Sequence, residues 1–209
     1  MAAATFSEMK QTILNMTKRG SGALTDIGSS INSAIRFYER KPLWFNQTYT
    51  ESLTLASGDS SLSLPATFKK ELMVRVQVSG LWSGESNGFK GKSFQELKAN
   101  LFTDPTATGR PQYWAIMGNT LYVDRIADTD YTIGLQYVYG DSSYPSADGD
   151  TSIWFDEARD LIRYCAAGLY YQDYLHAEEK GQAYLDKANT WISNLTIDFN
   201  TRETEHGLE

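Results

Sequence analysis

A chain of 209 residues, 41% hydrophobic and 22% charged, has the balance of a globular protein with one large core, or one core carrying an insertion. A formal charge of −7 and a pI near 4.9 exclude a tight grip on the phosphate backbone, which needs clustered Lys and Arg; the densest basic groups are the pairs Lys18-Arg19 and Arg40-Lys41. One cysteine, Cys165, excludes an internal disulfide framework, and no apolar run is long enough to predict a membrane anchor or an export signal.

In chain order, "TFSEMKQTILNMTKRG" begins with a capping box, Thr5 and Glu8, and Gly20 is expected to stop the helix. In "LTDIGSSINSAIRFYER", Ile27, Ile31, Ala34, Ile35 and Tyr38 fall at helical spacing, with Thr25 as the expected N-cap and Pro42 beyond the end. A β-rich region then spans 46–140. Tyr49, Leu53 and Leu55 are expected on one strand face, Gly58-Asp59 reads as a turn, and "ELMVRVQVSG" alternates cleanly. The glycine-rich stretch 80–92 reads as an insertion whose exposed rings, Trp82 and Phe89, are candidate contact residues. Ser93 is expected to cap a short helix, "FQELKANLF".

Strands over 113–117 and 121–124 flank Gly118-Asn119, a pair that tolerates the positive φ of tight hairpin turns. A further turn, "ADTD", leads to "YTIGLQYVYG", where Tyr131, Ile133, Leu135, Tyr137 and Tyr139 share a face; the three strands are expected to form a meander. Within the hairpin, Trp114 and Ile116 fall on one face and Tyr113, Ala115 and Met117 on the other. One face should close the core and the other meet a neighbour, with Tyr113, Tyr122 and, in the loop beyond, Tyr144 as contact residues. Helices over 152–195 follow, carrying Trp154, Ala158, Leu161, Ile162, Cys165 and Leu169, then Tyr184, Ala188, Trp191 and Leu195. From Thr196 the chain turns polar and is expected to extend. The layout predicts an α+β fold: a helical bundle of N- and C-terminal helices (1–45 and 152–195), an inserted, mostly antiparallel sheet region (46–140) and an extended C-terminal tail (196–209).

Residues able to carry chemistry are sparse. His176 and His206 lack partners at metal or triad spacing, and Cys165 is expected in a core. The acids Asp148, Asp150, Asp156 and Glu157 miss the register of a calcium loop and read as a solvated loop with helix-start acids. The three Asn-x-Thr sequons, at Asn15, Asn46 and Asn194, are read as chance. No catalytic residue, metal site or cofactor is expected.

The order of features carries more information than any residue. "INSAIRFYERKPLWFN", "SLTLASGDSSLSLPATF", "GRPQYWAIMGNTLYV" with "DTDYTIGLQYVYG", and "WFDEARDLIRYCAAGLYYQDYL" follow one another in a pattern that resembles the head-to-tail adaptor proteins of short-tailed bacteriophages. The resemblance implies a structural protein of the virion's head-to-tail junction, made in the bacterial host cytoplasm. It implies a ring, expected to hold twelve copies, that binds beneath the portal protein, extends the DNA channel and offers a platform to tail tube or nozzle protein and to tail fibre proteins. An acidic lining would let DNA pass without sequence-specific binding. On this reading Trp191, Ile197, Phe199 and Arg202 dock on the portal, and Trp82, Phe89, Tyr113, Tyr122 and Tyr144 meet a neighbouring subunit or tail protein. Two other readings stand beside it: a tail-associated peptidoglycan-degrading enzyme using paired carboxylates, and a surface or receptor-binding module presenting its aromatic residues.

Overall fold

The computed structural model describes residues 4–206 apart from 86, 87, 105 and 142, with the side chains of all of these except 51, 52, 100–103 and 198–206. In chain order the elements are α1 (Phe6–Thr17), a 3₁₀ turn (Ser21–Ala23), α2 (Leu24–Tyr38), β1 (Gln47–Leu55), β2 (Ser61–Ser63), β3 (Phe68–Val78), β4 (Leu81–Ser83), β5 (Lys90–Gly91), α3 (Phe94–Thr103), β6 (Tyr113–Met117), β7 (Thr120–Val123), β8 (Tyr131–Tyr139), α4 (Ile153–Glu157), α5 (Arg159–Asp173) and α6 (Glu178–His206). The fold is α+β. Contacts group the chain into two compact units, Met1–Asn46 with Asp141–Glu209, and Gln47–Gly140.

In the helical unit, the Thr5 hydroxyl accepts from the Glu8 N–H at 3.3 Å while the Glu8 carboxylate accepts from the Thr5 N–H at 3.0 Å, so the predicted capping box forms. The helix ends at Lys18, left-handed at φ 53°, rather than at Gly20. The predicted stripe of α2 is buried as read, although the helix starts at Leu24 after the 3₁₀ turn and not on a Thr25 cap. Asn46, the middle sequon, is fully buried: it accepts from the Leu43 N–H at 2.8 Å and donates to the Lys41 carbonyl at 3.0 Å, stapling the turn around Pro42. The stretch expected as one helix breaks at Ala158 (φ −132°, ψ 31°) into α4 and α5. Trp154 and Phe155 of α4 are fully buried, Trp154 edge-on to Phe45 at 5.1 Å.

Between α5 and α6 the backbones meet closely. A Cβ at Gly168 would lie 2.8 Å from Leu185 and 3.0 Å from the Gly181 carbonyl oxygen. The connecting turn has His176 left-handed at φ 50°, and the Ala177 N–H donates to the Tyr171 carbonyl at 2.9 Å, closing the α5 C-terminus. The segment expected to extend from Thr196 is instead the end of α6, which runs to His206. No Gly or Pro interrupts the sequence between Gly181 and Gly207, and Ile192 and Leu195 keep the packed face going to the edge of the expected tail.

The β unit contains two four-stranded sheets, ordered β1-β8-β3-β4 and β2-β7-β6-β5. Gln47 pairs with Val138, so the chain enters and leaves the unit on adjacent strands. The expected meander is divided: the β6–β7 hairpin lies in one sheet, and β8 pairs with β1 and β3 in the other. A register shift between Thr50 and Leu53 turns Tyr49 to the face opposite Leu55, leaving Tyr49 42% exposed and Leu55 fully buried. In the β6–β7 turn only Gly118 has positive φ, 62°, the pattern of a type II′ turn. Asn119 instead ties the turn to Leu64: its carbonyl accepts from the Leu64 N–H at 3.0 Å and its side-chain amide donates to the Leu64 carbonyl at 2.9 Å. The "SG" before Leu81 is the other tight turn: Ser79 and Gly80 both take positive φ (50° and 81°) and return the chain as β4. The stretch 80–92 is therefore built into both sheets.

Candidate interaction surfaces

The clustered acids are fasteners. Asp148 pairs with Lys10, Asp156 accepts from the Ala4 N–H at 2.9 Å, and Asp150 accepts from the N–H groups of Ser146 and Ala147 at 2.7 and 2.8 Å. Those last two bonds hold the Asp150 carboxyl below its ordinary range. The Asp150 and Asp148 carbonyls accept from the N–H groups of Phe6 and Ser7, so the loop is tied to the start of α1. Among the described residues no group of His, Cys, Asp and Glu could hold a metal ion. Cys165 is buried beside Tyr38, and burial pushes its thiol up to about 11, far from the reactive thiolate range.

The residues predicted to touch partners meet different fates. Phe89 is fully buried in the β-unit core, 6.5 Å from Trp114, so the expectation that it is exposed fails; the hydrophobic contact is internal. Trp82 is half-buried on β4, with its ring against Gly134 of β8. Tyr122 is half-buried and packs edge-on to Phe94 of α3 at 4.9 Å. Ala115, its register partner, is fully buried. The hairpin face expected to meet a neighbour is thus covered in large part by α3, where Ser93 caps the helix as predicted and Glu96 completes a capping box. Tyr113 sits at its margin under Lys92, whose ammonium is 5.6 Å from the ring centre, and Met117 at the hairpin end is 49% exposed. Tyr144 donates to Glu39 at 2.8 Å beneath the Arg36 guanidinium, so it first serves to bind its loop to α2.

On α6, Trp191 is 39% exposed and walls a cavity of about 220 Å³ with Asp156, Asp160 and Leu195; Ile197 is 61% exposed. Phe199 and Arg202 continue the same helix, and their side chains lie outside the described residues. The structure therefore presents the expected docking residues on a helix.

A family model for the SU10 adaptor protein matches residues 4–204, spanning both units and nearly all of α6. The chain belongs to the SU10 adaptor family. No curated protein matches it. As a member of the SU10 adaptor family it is a phage structural adaptor of the virion's head-to-tail junction, working with portal and tail proteins. Among the described residues, no helix is long and apolar enough to cross a membrane.

Sequence reasoning missed part of this adaptor's exposed apolar surface. Phe37 on α2 is 67% exposed and Leu81 on β4 is 75% exposed. Phe37 carried a usable signal, since it falls outside the stripe of Ile27, Ile31, Ala34, Ile35 and Tyr38. Leu81 carried none until its turn was seen to be a hairpin.

Proposed function

We propose that this adaptor assembles as a ring of twelve beneath the portal, extends the DNA channel and carries the tail tube or nozzle protein and tail fibre proteins below. The family match over residues 4–204 carries the reading. A ring needs heterologous contacts, one patch against a different patch next door, and exposed apolar residues on several elements, Phe37, Leu81, Met117 and Ile197 among them, supply separate patches. The charge of −7 suits a channel through which DNA slides. In this reading α6 is the portal-docking element, with Trp191, Ile197, Phe199 and Arg202 along it.

Native mass spectrometry of the full chain mixed with purified portal rings tests the proposal. The expected result is a defined complex with twelve copies per ring, lost when residues 196–209 are removed while the circular-dichroism melt of the remaining chain is kept. Portal rings that leave the full chain unbound would overturn it. Binding by the truncated chain would move the docking surface off the end of α6.

A further inference from the structure

At the C-terminus of α1, three helices of the helical unit meet around a cavity of about 360 Å³. Lys18 at the end of α1 and Lys180 and Lys187 of α6 line it, with the rings of Tyr171 on α5 and Tyr184 on α6, and among the described residues no carboxylate does. In a chain with 26 acidic and 19 basic residues, the cavity reverses the sign of the whole. Among the described residues none of these lysines forms an ion pair, whereas Lys10 of the same unit pairs with Asp148. Lys187 lies over rings instead, its ammonium 5.4 Å from the Tyr184 ring centre and 5.6 Å from that of Tyr164. Its neighbour in sequence, Asp186, accepts from Gln182 at 2.8 Å.

The remaining polar groups are also donors. Tyr171 and Tyr184 stack at 5.6 Å, and their hydroxyls donate to the Thr17 and Met16 carbonyls at 3.5 and 3.4 Å. Both bonds are long, so a stronger acceptor can take either proton. Burial, and after it Tyr171 and Tyr164, hold the Tyr184 hydroxyl above its ordinary value, so it stays a donor. Lys18 occupies a left-handed C-cap that favours glycine, although Gly20 lies two residues on. The carbonyls ending α1 answer only part of the positive charge. What remains is relieved by an anion.

That anion is compact. DNA carries one charge per about 1.7 Å of its axis, over lengths far beyond the cavity. Outside the cavity α6 returns to the acidic balance of the chain, with Glu178, Glu179 and Asp186 all exposed. An adaptor that works with portal and tail proteins meets compact anions as Asp and Glu side chains.

We propose that this cavity is a docking site for an acidic segment of a partner polypeptide, with an Asp or Glu carboxylate held among Lys18, Lys180 and Lys187. The site lies wholly in the helical unit and stands without the ring.

The test uses the full chain and a pool of labelled octapeptides in which Asp-Asp or Glu-Glu is flanked by Gly, Leu or Tyr. Members of the pool should bind saturably at or below about millimolar concentration, read by fluorescence anisotropy, and should shift the Tyr184 ring resonances. Peptides with Asn or Gln in place of the acids should bind at least about tenfold more weakly, as should the acidic peptides to a chain carrying Lys18→Gln, Lys180→Gln and Lys187→Gln together, with its circular-dichroism melt kept. Arg40→Gln with Lys41→Gln, at the other dense basic pair, should leave binding unchanged. No binding by any acidic peptide would overturn the proposal, as would equal binding of the amide peptides or an equal loss at Arg40 and Lys41. Inorganic phosphate that binds more tightly than every peptide would assign the cavity to a free ion and overturn it too. So would a DNA duplex whose binding is lost with the three lysines.

Discussion

In the helical unit two backbones meet: a Cβ at Gly168 would come 3.0 Å from the Gly181 carbonyl oxygen, beside the Leu185 side chain at 2.8 Å. The closest approach in the β unit is backbone on side chain: a Cβ at Gly134 would lie 2.6 Å from the Tyr49 hydroxyl and 2.9 Å from the Trp82 ring. Tyr49 and Trp82 both retain solvent exposure and can swing; a helix carbonyl cannot. At Gly168 the helical unit thus has a backbone neighbour that cannot move aside, and at Gly134 the β unit has side-chain neighbours with room to adjust. For an adaptor, that gives one part suited to a fixed register and another suited to fitting a partner.

The strongest way to break this contrast is the same substitution in both units. Trp154 is fully buried against Phe45, so Trp154→Ala should cost about 3–5 kcal/mol. Trp82 is half-exposed, and Trp82→Ala should cost about 1 kcal/mol or less. Urea unfolding of each variant measures both. Equal losses would mean that the β unit is packed as rigidly as the helical one.

How far the sequence revealed each unit follows the same line. The capping boxes at Thr5–Glu8 and Ser93–Glu96 and the α2 stripe were readable because their partners lie three or four residues away. The alternation of β8 was readable too, and its predicted face is the buried one at Tyr131, Ile133, Leu135 and Tyr137. What depended on distant partners was not. The shift at Thr50/Leu53 that turns Tyr49 outward is fixed by β8, more than seventy residues on. The burial of Phe89 depends on a sheet whose β2 and β7 lie far apart in sequence. The helical course of residues 196–206 was hidden by their polarity, although they contain no helix breaker. Of the exposed apolar surface, Ile197 was legible as a sparse apolar residue in a polar stretch; the exposure of Trp191 was not, because it falls within the apolar pattern of its helix and only the packing of α6 shows which side stays open.

A finer test adds a single methyl group. Gly168→Ala gains about 1 kcal/mol of helix propensity but forces the α5 and α6 backbones apart, an overpacking cost of about 1–3 kcal/mol. Leu185 and the Gly181 carbonyl both stand in the way, so the net effect should be a loss of up to about 2 kcal/mol, seen as a lowered thermal midpoint. Gly134→Ala should lose less than about 1 kcal/mol, with Tyr49 and Trp82 displaced toward solvent. A larger loss at Gly134 than at Gly168 would invert the comparison.

The smallest expected effect is the one in which the two units behave alike. Asp150 in the helical unit and Glu96 in the β unit are both exposed carboxylates held below their ordinary values of 3.8 and 4.5, each first by hydrogen bonds from backbone N–H groups, of Ser146 and Ala147 for one and of Ser93 for the other. A folded-state value below the unfolded one means that the contribution is complete above the unfolded value and is lost as pH falls through the folded one. Both loops should therefore loosen in acid and neither in base. Carbon NMR of the two carboxyl groups should give midpoints below 3.8 and 4.5, and Asp150→Asn should flatten the acid limb of the stability curve without moving the neutral plateau by more than a small amount. A midpoint at or above 3.8 for Asp150 would show that its carboxylate bonds to the Ser146 and Ala147 N–H groups are absent in solution.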